Sequence, residues 1–195
     1  MLQEKEKSYL LKLARDSVLF YLNENKLLDV DSEIQEIFKK EESDDSLLFK
    51  RLGCFVTFKT RQSDSLRGCI GIIESKERLY RNVIEYAVYS ATKDPRFSAI
   101  NEAELKNLNI EISVMGEVKE LSNLDDIEIG VHGLIGEREL ARGLLLPQVA
   151  QEYGWDRKLF LEQTCLKAGL PANASEDKES KLFIFDSFCF SEVSD

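Results

Sequence analysis

The feature that most constrains the fold is an alternation of apolar and polar residues with a period of two. It runs from Leu52 to Lys59 and resumes, after the polar stretch TRQSDS, from Leu66 to Glu74. A period of two places alternate side chains on opposite faces of a β-strand. Two such runs joined by a short polar turn predict an antiparallel β-hairpin. The chain is therefore expected to contain a β-sheet in which these two strands are neighbours.

The second strand of this hairpin, within SLRGCIG, contains residues that are unusual for a buried strand. Two glycines among four residues, Gly68 and Gly71, suggest a bulge or a close approach by another backbone or a ligand. The alternation places Leu66, Gly68, Ile70 and Ile72 on one face. It places Arg67 and Cys69 side by side on the other. Cys69 is then either a small core residue or a thiol that faces a site.

The rest of the chain alternates between helical and extended patterns. An apolar stripe every four residues predicts a helix from about Lys5 to Asn23, and helices are also predicted at residues 34–40, 77–93, after Pro147 and after Asp156. FKKEESDDS, residues 38–46, is interpreted as a solvated loop. Further strands are expected at 108–115, 130–136, 141–146 and 181–190. Because helices and strands are grouped and the sheet is mostly antiparallel, the predicted class is α+β.

Charge and composition narrow the possible functions. The 195 residues include 26 basic and 36 acidic side chains, a formal net charge of -10, which disfavours binding to nucleic acid. No stretch resembles a signal peptide or reaches the roughly 20 apolar residues of a membrane helix, so a cytoplasmic protein is expected. Four widely spaced cysteines are interpreted as free thiols. Zinc ligands usually come in closely spaced pairs, so no metal site and no cofactor is predicted.

Cys69, Arg67 and the single histidine, His132, form the most specific set of candidate catalytic residues. A nucleophilic cysteine reacts as its thiolate, which a nearby cation or imidazole favours. Arg67 could supply the positive field and His132 a general base, if the fold brings them together. The alternative is that Cys69 is a buried small hydrophobe.

A second possible chemistry is the capture of an anion. Gly68 and Gly71 could let a ligand approach the backbone, while Arg67 and Arg96 could hold a carboxylate or a phosphate. The GCIG tetrapeptide is neither a dinucleotide fingerprint nor a P-loop, so nucleotide binding has no motif to support it.

Several segments, in order along the chain, resemble those of the AMMECR family, named for a chromosomal region linked to Alport syndrome, midface hypoplasia, intellectual disability and elliptocytosis. They are GCFVTF, LRGCIG, DPRF, IEISV, HGLI, RGLLLPQVAQEYGWD and CLKAGL, which span residues 53–170. The hexapeptide LRGCIG is the hallmark of the family.

The resemblance implies one AMMECR-type domain over residues 1–195, with a larger and a smaller lobe and a groove between them beside the hallmark strand. It places Arg67, Gly68, Cys69 and Gly71 at the site and nominates four neighbours, Asp94, Arg96, His132 and Gln148. It also implies Memo-like and radical S-adenosylmethionine proteins as partners in microbes.

The resemblance assigns no established reaction. Our leading hypothesis is an enzyme or accessory enzyme subunit whose groove is centred on Cys69. The alternatives are a non-catalytic module that binds a partner protein and, less favoured, a protein that binds specific DNA sequences.

Overall fold

The computed structural model describes residues 2–38 and 46–192, which form two compact units. The first unit comprises residues 1–114 and 189–195, and the second comprises residues 115–188. The helices are α1 (Glu4–Glu24), α2 (Asp31–Phe38), α3 (Leu79–Thr92), α4 (Glu102–Leu105), α5 (Pro147–Glu152) and α6 (Arg157–Lys167). The strands are β1 (Cys54–Thr60), β2 (Leu66–Ile72), β3 (Leu108–Glu120), β4 (His132–Arg138), β5 (Ala141–Leu145) and β6 (Lys181–Ser191).

Antiparallel pairing organises the strands of both units. In the first unit the strand order is β2, β1, β3, β6, and in the second it is β3, β6, β4, β5. Strands β3 and β6 contribute residues to both units. The predicted α+β class and the predicted hairpin of β1 and β2 are confirmed. The predicted loop at 38–46 lies mostly outside the described residues, whereas the predicted groove between lobes stays a prediction.

Helix α3 packs on one face of the sheet in the first unit, and α1 packs against α3. The buried strand residues on this face are Cys54, Val56, Phe58, Ile110, Ile112 and Val114, which alternate with more exposed neighbours as the period of two requires. Four apolar residues recur every four positions in α1, and three of them are buried: Leu10, Ala14 and Val18. The fourth, Leu22, is 36% exposed in the last turn of the helix. Burial of this apolar surface is the main stabilising contribution to the unit.

Helix α6 packs on β4 and β5 in the second unit. The side chain of Asp156 caps the helix by accepting a hydrogen bond from the backbone N–H of Leu159, at 2.8 Å. Trp155, which precedes this cap, packs against the apolar cluster that contains Phe160. Trp155 and Phe160 stand at the two positions, before the cap and four residues after it, that form a hydrophobic staple. Trp155 therefore serves in packing.

None of the helices in the described part of the chain combines the length and the apolar character that crossing a membrane requires.

Candidate functional site

Strand β2, which contains the LRGCIG segment, lies at an edge of the sheet, and the space beside its glycines is filled by the protein's own backbone. A Cβ atom at Gly68 would lie 2.3 Å from the backbone oxygen of Ser90 in α3. At Gly71 it would lie 2.3 Å from the backbone oxygen of Cys54 in β1. Both glycines are thus needed for close packing of main chains. A direct contact of Gly68 or Gly71 with a ligand stays a prediction.

The hydroxyl group of Ser90 joins α3 to both strands of the hairpin. Its Oγ accepts a hydrogen bond from the N–H of Ile70 at 2.8 Å and donates one to the carbonyl of Val56 at 2.7 Å. Val56 and Ile70 are cross-strand partners, so the hydroxyl bridges a ladder pair immediately beside Cys69. Ser90 itself is 2% exposed, which leaves water little access to these groups.

We expect Ser90→Ala to lower the free energy of unfolding by about 2 kcal/mol, because it leaves a buried N–H and a buried carbonyl without this partner. The matched control is Thr92→Ala. Its hydroxyl donates only to the carbonyl of Val88 within the same helix, so its loss should cost less than about 1 kcal/mol. Urea unfolding of both variants measures the difference. Equal losses in the two variants would contradict the bridging role of Ser90.

A carboxylate and a guanidinium hold the peptide groups of Cys69 in place. The N–H of Cys69 donates to Asp94 Oδ2 at 2.8 Å, and Arg96 Nη2 donates to the carbonyl of Cys69 at 3.2 Å. Arg96 also donates to Asp94 through Nε at 2.9 Å and through Nη2 at 2.7 Å. We call Asp94 and Arg96 the clamp. The segments LRGC and DPRF are thus brought together by direct hydrogen bonds.

The two members of the clamp differ in their exposure to solvent. The side chain of Asp94 is 2% exposed, whereas that of Arg96 is 53% exposed. The hydrogen bonds from Arg96 and from the N–H of Cys69 hold the pKa of Asp94 well below its usual range. Asp94 is therefore ionised at neutral pH, and the guanidinium of Arg96 presents part of its surface to solvent beside Cys69.

The thiol of Cys69 points away from α3, because Gly68, the preceding residue in the strand, faces α3. Its sulfur accepts a hydrogen bond from Thr57 Oγ1 at 3.2 Å, and Thr57 is its cross-strand partner. Burial raises the pKa of this thiol, and the Thr57 hydroxyl and the Arg96 guanidinium offset only part of the increase. Cys69 is therefore a positioned thiol at neutral pH, not a ready thiolate.

Arg67 has a different role from the one that the period of two suggested. The pairing register shifts by one residue between Phe58 and Lys59, which leaves Arg67 as an extra residue in β2. Its guanidinium donates to Glu104, with Nη2 at 3.1 Å from Oε2, and lies 5.7 Å from the ring centroid of Phe97. The cation that acts on the Cys69 thiol is Arg96.

Phe97 connects the two arginines of the site. Arg96 lies 5.4 Å from the ring centroid of Phe97, so both guanidinium groups contact the same aromatic ring. Among the described residues, Nη1 of Arg67 is buried and has no hydrogen-bond partner. A buried donor without a partner is unfavourable, and a bound oxygen atom would satisfy it.

Polar residues continue across the sheet from Cys69. Thr57 pairs with Glu111 of β3 in the next position, and Glu111 accepts a hydrogen bond from Lys59 Nζ at 3.1 Å. This face of the sheet therefore carries hydroxyl, carboxylate and ammonium groups, in contrast to the apolar face that packs against α3. Sequence analysis missed Thr57, Ser90, Phe97 and Glu104. Two of them had a signal in the sequence, because Thr57 lies in the GCFVTF segment and Phe97 in the DPRF segment.

Six of the eight predicted site residues belong to the first unit, and His132 and Gln148 belong to the second. His132 Nδ1 accepts a hydrogen bond from the N–H of Glu128 at 3.0 Å, and Nε2 lies 3.4 Å from Asp186 Oδ1. Both ring nitrogens thus have partners within their own unit. Gln148 is half-buried in α5. The role of His132 as a base for Cys69 stays a prediction.

In the described ranges 2–38 and 46–192, no three His, Cys, Asp or Glu side chains converge as metal ligands.

Comparison with known proteins gives one consistent family. The family model described as AMMECR1 matches residues 11–190. A protein of Methanothermobacter thermautotrophicus is 39% identical over 197 residues, which cover 98% of this chain and 96% of that protein. Protein MK0488 of Methanopyrus kandleri is 36% identical, with 96% and 89% covered. The crystal structure of uncharacterized protein PH0010 from Pyrococcus horikoshii superposes with a TM-score of 0.83 at 33% identity, covering 98% and 93% of the two chains.

Proposed function

The chain belongs to the AMMECR1 family, and within it we propose the role of an enzyme or an accessory enzyme subunit whose site is built around the Cys69 thiol. The observation that supports this role most strongly is the clamp. Asp94 and Arg96 fix the N–H and the carbonyl of one residue, and Thr57 orients the side chain of that same residue. Such preorganisation around a single reactive group is typical of sites where chemistry takes place.

The substrate class that we infer is a small molecule with an anionic group. Arg96 offers a partly exposed guanidinium next to Cys69, and Arg67 adds a buried donor on the same aromatic ring. Guanidinium groups bind carboxylates and phosphates through paired hydrogen bonds. The Cys69 sulfur accepts from Thr57, so its own S–H can donate to the ligand.

A raised thiol pKa favours an accessory role over an independent nucleophile. At neutral pH the thiolate is scarce, so a covalent step at Cys69 needs a base from the substrate or from a partner protein. Memo-like and radical S-adenosylmethionine proteins, the partners implied by family resemblance, remain our proposal for that role.

Pairing of arginine side chains with carboxylates argues against nucleic acid as the ligand. Ion pairs join Arg15 to Glu192, Arg67 to Glu104, Arg81 to Asp31, Arg96 to Asp94, Arg138 to Asp177 and Arg157 to Asp125. A phosphate backbone requires a continuous basic surface, whereas these arginines each stand beside a carboxylate in a chain of net charge -10.

Disulfide capture of small fragments tests the proposed site. The protein is equilibrated with fragment disulfides of cysteamine, so that the Cys69 sulfur bonds to the fragment sulfur and cysteamine leaves as a thiol. We expect Cys69 to capture carboxylate fragments several-fold more than the matching amides, because of the adjacent guanidinium. Intact-protein mass spectrometry measures the capture, and exposed Cys189 is the internal comparison.

Two variants sharpen this experiment. Arg96→Gln should remove the preference for carboxylates, whereas Cys69→Ser should remove capture at this position altogether. Equal capture of carboxylates and amides would contradict an anionic substrate. If Cys69 were no more selective than Cys189, the proposed site would be wrong, and the non-catalytic interaction module would be the better hypothesis.

A further inference from the structure

The loop between α1 and α2 separates two hollows in the surface of the first unit, away from the Cys69 face of the sheet. The loop residues Leu28, Asp29 and Val30 line both hollows. The α3 hollow, between the loop and helix α3, has a volume of about 380 Å³. The α1 hollow, between the loop and helix α1, has a volume of about 290 Å³.

Apolar residues form the floor of each hollow. In the α3 hollow they are Leu27, Leu28, Val30 and Ile84, and in the α1 hollow they are Tyr9, Leu13, Phe20, Leu28 and Val30. Leu27, in the loop after α1, is 45% exposed, whereas most of the large apolar residues of α1 are covered. An exposed leucine that lines such a hollow adds apolar surface that a ligand could cover.

Carboxylates dominate the charged groups around the two hollows. Six acidic side chains line them, Asp16, Asp29, Asp31, Glu33, Glu77 and Glu85, against only two basic ones, Lys12 and Arg81. Lys12 pairs with Asp16, and Arg81 pairs with Asp31 and Glu77. In the part of the chain that the structure describes, no lysine or arginine forms an ion pair with Asp29, Glu33 or Glu85. The hollows thus carry a formal excess of four negative charges.

The electrostatic environment of Tyr9 agrees with this excess. Burial raises the pKa of its hydroxyl to about 12, and the carboxylates of Glu33 and Asp16 contribute to the increase. Because Tyr9 lines the α1 hollow, the electrostatic potential at its hydroxyl group, within this hollow, is negative.

We propose that the two hollows are a docking site for a basic peptide segment of a partner protein, with a lysine or arginine side chain entering each hollow. The methylene stem of such a side chain packs on an apolar floor while its charged head meets carboxylates at the mouth. Leucine, valine and isoleucine side chains beside exposed or half-buried acids fit this division of the side chain. The occupant is a peptide because two hollows lie on either side of one loop, so two side chains of one segment can enter them together.

A fluorescence binding experiment tests the proposal with the full chain. The probe is a fluorescein-labelled peptide of repeating Lys-Leu-Leu-Lys units, and the control peptide has repeating Glu-Leu-Leu-Glu units. We expect the lysine peptide to bind and the glutamate peptide not to bind. The double variant Glu33→Lys with Glu85→Lys, which changes one acid in each hollow, should weaken binding by about tenfold.

A matched double variant separates specific docking from general charge attraction. Glu117→Lys with Glu120→Lys changes the net charge equally, at exposed positions of the second unit. We expect it to weaken binding by no more than about twofold, because neither residue lines a hollow and salt screens exposed charges. Equal weakening by the two double variants would overturn the proposal, as would the absence of binding to the lysine peptide.

The apolar floor is tested by a second pair of variants. Leu27→Ser removes an apolar side chain at the α3 hollow, and Leu140→Ser removes one that is fully exposed elsewhere. We expect Leu27→Ser to weaken binding several-fold and Leu140→Ser to leave it unchanged. If both variants bind like the unmodified protein, the floor does not contribute and the proposal fails. Thermal melting of every variant confirms that the chain is folded.

Discussion

Replacing Gly68 by alanine is expected to destabilise the protein by about 3 kcal/mol, the upper part of the usual range for overpacking. The added Cβ would lie 2.3 Å from the backbone oxygen of Ser90 and 3.2 Å from its carbonyl carbon. These atoms belong to the main chain of α3, so a rotamer change cannot relieve the clash. Helix α3 or strand β2 would have to shift, and the hydrogen bonds that surround Cys69 would shift with them.

The matched control is Gly136→Ala, which adds the same methyl group to a strand of the second unit. There the nearest atom is the Cβ of Ala168 at 3.5 Å, an ordinary van der Waals contact. We expect a change within about 1 kcal/mol, and a gain is possible because alanine restricts the unfolded chain. Thermal unfolding should show a melting temperature that is lowered by roughly 6 to 12 °C in Gly68→Ala and nearly unchanged in Gly136→Ala. Similar melting temperatures for the two variants would contradict close packing at Gly68.

The second large effect is expected from Asp94→Asn. The amide has nearly the shape of the carboxylate, but it bears no charge for Arg96 and has one acceptor oxygen where the carboxylate has two. We expect a loss of about 2 to 3 kcal/mol, since hydrogen bonds to a charged group are among the stronger ones. Because Arg96 is 53% exposed, water compensates its charge, and the loss stays below that of a fully buried ion pair.

Acid should reduce the difference between Asp94→Asn and the unmodified protein. The pKa of Asp94 is lower in the folded chain than in the unfolded chain. The resulting stabilisation is complete above the unfolded pKa, about 3.9, and is lost progressively as the pH falls below it. Urea unfolding at neutral pH and at about pH 3 measures this trend. A difference that stays constant between these two pH values would contradict the role of the ionised carboxylate.

Alkylation of Cys69 by iodoacetamide gives a second readout of the clamp. The Asp94 carboxylate raises the pKa of the Cys69 thiol and the Arg96 guanidinium lowers it. Asp94→Asn should therefore speed alkylation at neutral pH, whereas Arg96→Gln should slow it. A merely structural loosening would change the rate in the same direction in both variants. Opposite directions would thus identify electrostatic control of the thiol.

Much of the fold was predictable because its signals are local. Alternation from Leu52 onward predicts strands, and proline at 95 and 147 marks where helices end or begin. The capping residue Asp156 is likewise evident from its neighbours in sequence. The prediction of the fold class and of the hairpin therefore depended on patterns within a few residues. Boundaries were less accurate: β3 extends to Glu120, beyond the predicted alternation.

The site was only partly predictable because its contacts join distant segments. Family resemblance nominated Asp94 and Arg96 as neighbours of Cys69, but no local pattern states that they bind its backbone. The extra residue in β2 also changed the position of Arg67 from the one that the sequence pattern predicted. A regular period of two would place Arg67 beside Cys69, whereas the shifted register accompanies a contact of Arg67 with Glu104.

By itself the sequence determined the class of fold and the hairpin, since periodicity and composition act over short distances, and family resemblance nominated the LRGCIG strand as a site. Only the tertiary structure decided what the residues in this strand do. Its glycines make room for the backbones of α3 and β1, and its cysteine is a thiol held by a clamp from another segment. Burial, which raises the pKa of that thiol, depends on the packing of strands and helices far apart in the chain, and no short stretch of sequence encodes it.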